Sequence, residues 1–160
     1  KENLDYKGFI FAGLMNVEGN PFVIEYNVRM GDPETQVVIP RIKNDLLGII
    51  NDCLESNLED VTLDIDDRFV STVILAANGY PNNYNKGDEI GNLSEENNTK
   101  IFHAGTKSLD DKILSNGGRV LACTGFGNSI NEALTNSYKI AKKISWNNKY
   151  FRSDIGKDLI

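Results

Sequence analysis

The sequence predicts an α+β chain: a β-hairpin with helices, followed by a small antiparallel sheet that carries one long C-terminal helix. Three observations carry that prediction. Residues 6–29 hold two aromatic and branched runs around Val17-Glu18-Gly19-Asn20. Residues 69–124 hold several short apolar runs divided by turn residues. Ser129-Ile130-Asn131-Glu132 then opens a stretch whose apolar residues recur at helical spacing.

The elements follow in order. Tyr6 to Met15 and Phe22 to Arg29 read as the two strands of a hairpin with a four- or five-residue loop. Gly31-Asp32-Pro33-Glu34 reads as a helix start, with Asp32 as cap and Pro33 at the first helical position. Pro40 stops that helix after one or two turns. A second helix begins near Asn44 or Asp45, with Leu46, Leu47, Ile49, Ile50, Cys53 and Leu54 as its apolar stripe. Residues 55–68 are acidic and read as a linker with a short strand at Val61 to Leu63, so the chain divides into domains 1–60 and 61–160. Phe69 to Ala77, Lys100 to Ala104, Lys112 to Ser115 and Arg119 to Thr124 read as strands, and Gly117-Gly118 as a hairpin turn. Ile130, Ala133, Leu134, Tyr138, Ala141 and Ile144 form the buried stripe of the last helix.

Composition narrows the function classes. The chain has 160 residues, 40% hydrophobic and 25% charged, with a net charge of −6. That is an ordinary soluble composition. The lysines are scattered, which excludes a nucleic-acid footprint while leaving room for a small phosphorylated ligand. No apolar run approaches the roughly 18–20 residues that cross a bilayer, so no membrane partner is expected. Residues 1–5 lack the apolar stretch of a signal peptide and an initiating Met, which reads as a chain cut, processed or partly supplied. Cys53 and Cys123 stand far apart in apolar surroundings and read as reduced, core-like thiols of a cytoplasmic protein. Asn92-Leu93-Ser94 and Asn97-Asn98-Thr99 match a glycosylation pattern by chance.

The stretch that carries chemistry is Val23-Ile24-Glu25-Tyr26-Asn27-Val28-Arg29. Alternation puts Ile24, Tyr26 and Val28 on one face, as core, and Glu25, Asn27 and Arg29 on the other, spaced about 6–7 Å apart. Mg2+ takes hard oxygen ligands, typically one or two carboxylates plus substrate phosphates. Glu25 and Asn27 can supply such oxygens, and Arg29 can grip a carboxylate or an acyl phosphate with its fork of donors. Gly31 allows close backbone approach, and the helix start at Pro33 points free N–H groups at the same region. Alternation alone is equally the pattern of a half-exposed strand with solvated charges.

Glu25-Tyr26-Asn27-Val28-Arg29-Met30-Gly31-Asp32-Pro33-Glu34-Thr35-Gln36 resembles the ATP-grasp signature of the glycinamide ribonucleotide synthetase family. Tyr6-Lys7-Gly8 with Phe11-Ala12-Gly13-Leu14-Met15 is similar to the family's upstream strand. Ala76-Ala77-Asn78-Gly79-Tyr80-Pro81, Lys86-Gly87-Asp88, Phe102-His103-Ala104-Gly105-Thr106, Asn116-Gly117-Gly118-Arg119-Val120-Leu121 and Arg152-Ser153-Asp154-Ile155-Gly156 follow in the family's order. The resemblance covers nearly the whole chain. It implies the end of an ATP-grasp domain followed by the synthetase's C-terminal domain. It also implies an ATP-dependent ligase of purine synthesis, which couples glycine to 5-phosphoribosylamine through a glycyl phosphate. Its cofactor would be Mg2+ or Mn2+, with ATP as co-substrate and the remainder of the synthetase chain as partner. Glu25 and Asn27 would be the metal and nucleotide ligands. Arg29 and Asp32 would lie beside the glycyl phosphate, although Asp32 serves equally well as a helix cap. The family's lysines for the nucleotide phosphates precede Lys1, so the 160 residues alone are expected to be inactive.

Two other readings stay open. Another ATP-grasp carboxylate–amine ligase would diverge after Arg29. A non-catalytic binding module would survive replacement of Glu25 or Asn27. Gly125-Phe126-Gly127 lacks the third glycine of a dinucleotide fingerprint and reads as a strand-to-helix turn. His103, the sole histidine, reads as structural. Tyr80-Pro81 to Lys86-Gly87 reads either as a phosphate wrap or as an aromatic-packed loop, and Asp110 to Lys112 as a charged turn.

Overall fold

The computed structural model describes residues 4–160, and the chain divides into two compact units, with the boundary between Asp66 and Asp67. The first unit opens with an antiparallel hairpin of β1 (Phe11–Val17) and β2 (Asn20–Asn27). Its loop has two residues rather than four or five. Val17 and Asn20 still pair, and Glu18 and Gly19 both have positive φ, 51° and 87°. That is the type I′ signature, whose twist matches the strands. The Asn16 side chain accepts the Gly19 N–H at 2.9 Å. Gly13 pairs with Glu25 and Leu14 with Val23, so a bulge falls at Ile24.

Ile24, Tyr26 and Val28 are not core: they are 63%, 69% and 71% exposed. Two strands have no second layer of their own to cover an apolar face. The helix start also differs from the sequence expectation. Asp32–Pro33 is a cis peptide inside a turn, and α1 (Thr35–Val38) takes Glu34 as its cap residue. The Thr35 N–H and hydroxyl both donate to the Gly31 carbonyl, at 3.0 and 2.6 Å, which closes the turn around Asp32 instead of behind it. As expected, α1 stops before Pro40, which sits in a 3-10 turn, Ile39–Arg41.

Helix α2 (Leu46–Glu55) begins where the sequence placed it. The Asp45 carboxylate caps it by accepting from the N–H groups of Leu47 and Gly48. No strand forms at 61–63. The Asn44 amide takes that segment's backbone groups instead, donating to Thr62 O at 3.0 Å and accepting from Asp64 N at 2.7 Å. Only a single bridge, Ile42 to Ile65, remains.

The second unit is built on a four-stranded antiparallel sheet in the order β4-β7-β3-β8. Its strands are β3 (Phe69–Ala77), β4 (Thr99–His103), β7 (Arg119–Gly127) and β8 (Lys149–Tyr150). Between β4 and β7 the chain makes a separate hairpin, β5 (Thr106–Leu109) and β6 (Lys112–Ser115). Its turn, Asp110-Asp111, again has two positive φ values. Gly117-Gly118 is therefore not a hairpin turn, because β6 pairs with β5 and β7 with β3 and β4. These glycines allow close approach: a Cβ on Gly118 would lie 2.0 Å from the Tyr80 ring.

Helix α3 (Ile130–Lys143) packs on β7 and β3. The Ser129 hydroxyl accepts from Glu132 N, and the Glu132 carboxylate accepts from Asn128 N, a near-reciprocal cap. Its buried side chains are Ala133, Leu134, Ser137, Ile140 and Ala141. Ile140 and Ser137 were not in the expected stripe, and Ser137 is buried because its hydroxyl meets Ser71 Oγ at 2.8 Å. Val73, Leu75, Val120, Leu121, Cys123, Ile140 and Ile144 centre the core. Burial pushes the Cys123 thiol up to about 12, and both cysteines are free. The Lys149 ammonium closes α3 by donating to the carbonyls of Ala141 and Ile144.

Candidate functional site

Glu25 and Asn27 stand on β2 opposite Gly13 and Phe11. Directly paired residues share a face, so Glu25, Asn27, Gly13 and Phe11 line one side of the hairpin. The missing side chain at Gly13 makes room there: a Cβ on it would lie 3.1 Å from Glu25 Cγ. Glu25 is exposed and Asn27 half-buried. Among the described residues, neither side chain has a hydrogen-bond or ion-pair partner. A carboxylate and an amide oxygen left open on one face suit a hard cation that also carries phosphate oxygens and water. No cluster of three His, Cys, Asp or Glu side chains is present among the described residues.

Arg29 does not continue the row. The ladder ends at the Phe11–Asn27 pair, and Arg29 lies beyond it in a bend, where its Nη1 donates to Met30 O at 3.0 Å. Asp32 follows, exposed, in the turn before α1. The structure thus brings Glu25 and Asn27 together on a strand and puts Arg29 and Asp32 on the loop leaving it. The expected anion site at the helix start is not formed. Helix α1 is a single turn, too short for much dipole, and the Glu34 carboxylate itself lies over Gly31.

Accounting for backbone groups reveals residues that sequence reasoning passed over. Past Asn27 no ladder bonds are available, yet the Met30 and Gly31 carbonyls are satisfied by side chains and the Val28 carbonyl shares a phenolic proton. The Tyr6 hydroxyl reaches Val28 O at 3.1 Å and Phe9 O at 2.8 Å. Arg29 serves Met30 O, and Thr35 serves Gly31 O. Lys7, next in sequence to Tyr6, donates its ammonium to Leu54 O at the end of α2. The signal available in the sequence was the unexplained Tyr6-Lys7-Gly8 motif itself.

In the second unit, the ends of β3 and β4 and the start of β7 fall at one end of the sheet. Gly105 and Gly117 touch there through their backbones. The His103 ring bonds Thr106 Oγ1 at 3.0 Å, a structural pairing. Tyr80 and Tyr84 meet edge to face at 5.9 Å, and Lys86 Nζ lies 5.9 Å from the Tyr84 ring, which favours the aromatic-packed loop. Gly125 and Gly127 lie in β7, not in a strand-to-helix turn, and let α3 approach, since a Cβ on either would meet α3 backbone.

Comparisons with known proteins agree over nearly the whole chain. Residues 70–158 match the family model described as "Phosphoribosylglycinamide synthetase, C domain", and residues 1–35 match "Phosphoribosylglycinamide synthetase, ATP-grasp (A) domain". A phosphoribosylamine–glycine ligase of Vibrio parahaemolyticus is 46% identical over 158 residues, and one of Fusobacterium nucleatum 43% over 159. Each alignment covers 97% of this chain and 37% of the relative, so the chain spans little more than a third of the relatives' length. The crystal structure of a phosphoribosylamine–glycine ligase from Thermotoga maritima superposes with a TM-score of 0.72 at 38% identity, covering 91% of this chain and 36% of that one.

Proposed function

Since the chain belongs to the phosphoribosylglycinamide synthetase family, we propose that it is the C-terminal part of an ATP-dependent ligase joining glycine to 5-phosphoribosylamine. On this reading residues 1–60 end the ATP-grasp domain and 61–160 form the C-terminal domain. The matched stretches 1–35 and 70–158 support that division. The products are glycinamide ribonucleotide, ADP and phosphate, and the working compartment is the cytoplasm, where free thiols such as Cys53 and Cys123 stay reduced.

The observation that carries the proposal is the open Glu25–Asn27 pair on one face of β2, leading directly into the Arg29–Asp32 loop. Mg2+, or Mn2+, held by Glu25 and Asn27 would neutralise charge on the ATP phosphates. Glu25 and Asn27 would thereby hold the metal against the nucleotide's terminal phosphates. Arg29 releases the Met30 carbonyl and turns its guanidinium to the glycine carboxylate, which takes the γ-phosphoryl group to become glycyl phosphate. The same fork of donors stabilises the charge that develops when the amine attacks and phosphate leaves. Asp32, on the same loop, lies beside that acyl phosphate. The rest of the synthetase chain supplies the opposing wall of the nucleotide cleft.

The test is ADP release by the polypeptide extended to the length of its relatives, with Mg2+, ATP, glycine and phosphoribosylamine supplied together and separately. Turnover should need both substrates. Asn27→Ala and Glu25→Gln should each lower it on the order of 100-fold. Turnover with a different acid or amine, or full activity in both variants, would overturn the reading. The 160-residue chain alone should show no glycine-dependent ADP release.

A further inference from the structure

We infer that Tyr6 is a positioning residue for Arg29, acting through the Val28 carbonyl; the inference rests on the role proposed for Arg29. The argument begins with where the hairpin ends. Strand pairing fixes β2 only as far as Asn27. Arg29 lies two residues further on, in backbone that no strand holds. Thr35 holds the far end of the loop at Gly31 O, and the near end is tied at Val28 by one hydroxyl from 22 residues upstream, that of Tyr6. Its single proton is shared between Val28 O at 3.1 Å and Phe9 O at 2.8 Å. Phe9 precedes β1 and Val28 follows β2, so the phenol joins the two ends of the hairpin beyond its last ladder pair.

The segment is shaped for this. Gly8 has φ of +147°, and a Cβ there would lie 2.8 Å from the Tyr6 hydroxyl, so only glycine lets the ring fold back over its own chain. Lys7 anchors the other side of the segment on Leu54 O, at the end of α2. Tyr6 is therefore held between α2 and the hairpin, with its hydroxyl as the contact to the loop. Arg29 must exchange its Met30 partner for a substrate oxygen, so its backbone has to stay fixed while its side chain swings. Securing the adjacent carbonyl achieves that at no cost to the guanidinium's freedom.

The test is Tyr6→Phe, which removes the hydroxyl and keeps the ring. In the polypeptide extended to its relatives' length, kcat should fall about fivefold to tenfold, the weight of one hydrogen bond, with KM for ATP unchanged. In an Arg29→Lys background the same change should have almost no further effect, because the two residues act as one unit. Hydrogen exchange on the same protein should show faster uptake at 28–31 and unchanged uptake in α3. A full kcat, a fall that multiplies independently with Arg29→Lys, or an unchanged exchange rate at 28–31 would overturn the inference. If the unsubstituted protein turns over no ATP, the ligase reading fails, and exchange at 28–31 still decides whether Tyr6 holds the loop.

Discussion

Glu95 and Glu96 are neighbours held by different donors. Glu95 accepts the Ile101 N–H at 3.0 Å and pairs with Lys100 at 3.0 Å. Glu96 receives two lysines of α3, Lys139 at 2.6 Å and Lys143 at 3.0 Å. The backbone N–H, with help from Lys100, holds the Glu95 carboxyl below the usual glutamate range; the two lysine hydrogen bonds do the same for Glu96. A depressed folded value means the unfolded chain binds protons more readily. The stabilisation is then present above the ordinary glutamate pKa of about 4.3 and is lost as pH falls through the folded values. Solvent exposure keeps the effect small. The urea midpoint should fall below about pH 4.3, and this acid limb should flatten when both residues are changed to glutamine. An unchanged slope would remove these carboxylates from the account. Nothing in the sequence marks the Glu96 pairs, since Lys139 and Lys143 are more than 40 residues from Glu96. Tyr6 was hidden for the same reason: a hydroxyl that serves a carbonyl 22 residues away leaves no local pattern.

Glycines decide the strand–helix packing. A Cβ on Gly125 would lie 2.3 Å from Ser137 N and 2.4 Å from Ala133 O, both backbone atoms of α3. Neither can yield unless the helix lifts. Gly125→Ala should cost about 3 kcal/mol in chemical denaturation, and a loss below about 0.5 kcal/mol would show that α3 is free to shift. Elements with strong local signals were legible: β3 matches its apolar run from Phe69 to Ala77, and α2 and α3 start at the caps Asp45 and Ser129. Elements settled by competition were not. The 61–63 strand was lost to the Asn44 side chain, and the helix start at Asp32 to the Thr35–Gly31 turn. Strand β6 was read from Lys112 to Ser115, but its partner β5 was missed because Thr106–Leu109 has little apolar character to announce a strand. Of the candidate site, Glu25 and Asn27 could be read from alternation because the ladder reaches them, and Arg29 could not because the ladder stops short of it.

Apolar burial is distributed unevenly over the whole molecule. Every hydrophobic side chain buried among the described residues belongs to the second unit, from Val73 onward. The first unit instead exposes Leu14, Met15, Phe22, Val23, Ile24 and Tyr26. Alternation in β2 holds only from Glu25 to Asn27, since the bulge at Ile24 breaks the register before them and the ladder ends after them. It could not reveal that neither face is covered, because a covering layer is a property of neighbours and not of the strand. The consequence is calorimetric. Heat absorption on melting and the accompanying rise in heat capacity both scale with the apolar surface and packing that are lost. A scan of this chain should show one transition of ~65 kcal/mol, the enthalpy of a domain the size of the second unit, and not the ~110 kcal/mol of a fully cooperative 160-residue protein. The larger value would mean that both units melt as one body. The smaller would mean that the strand bearing Glu25 and Asn27 has almost no thermal transition of its own.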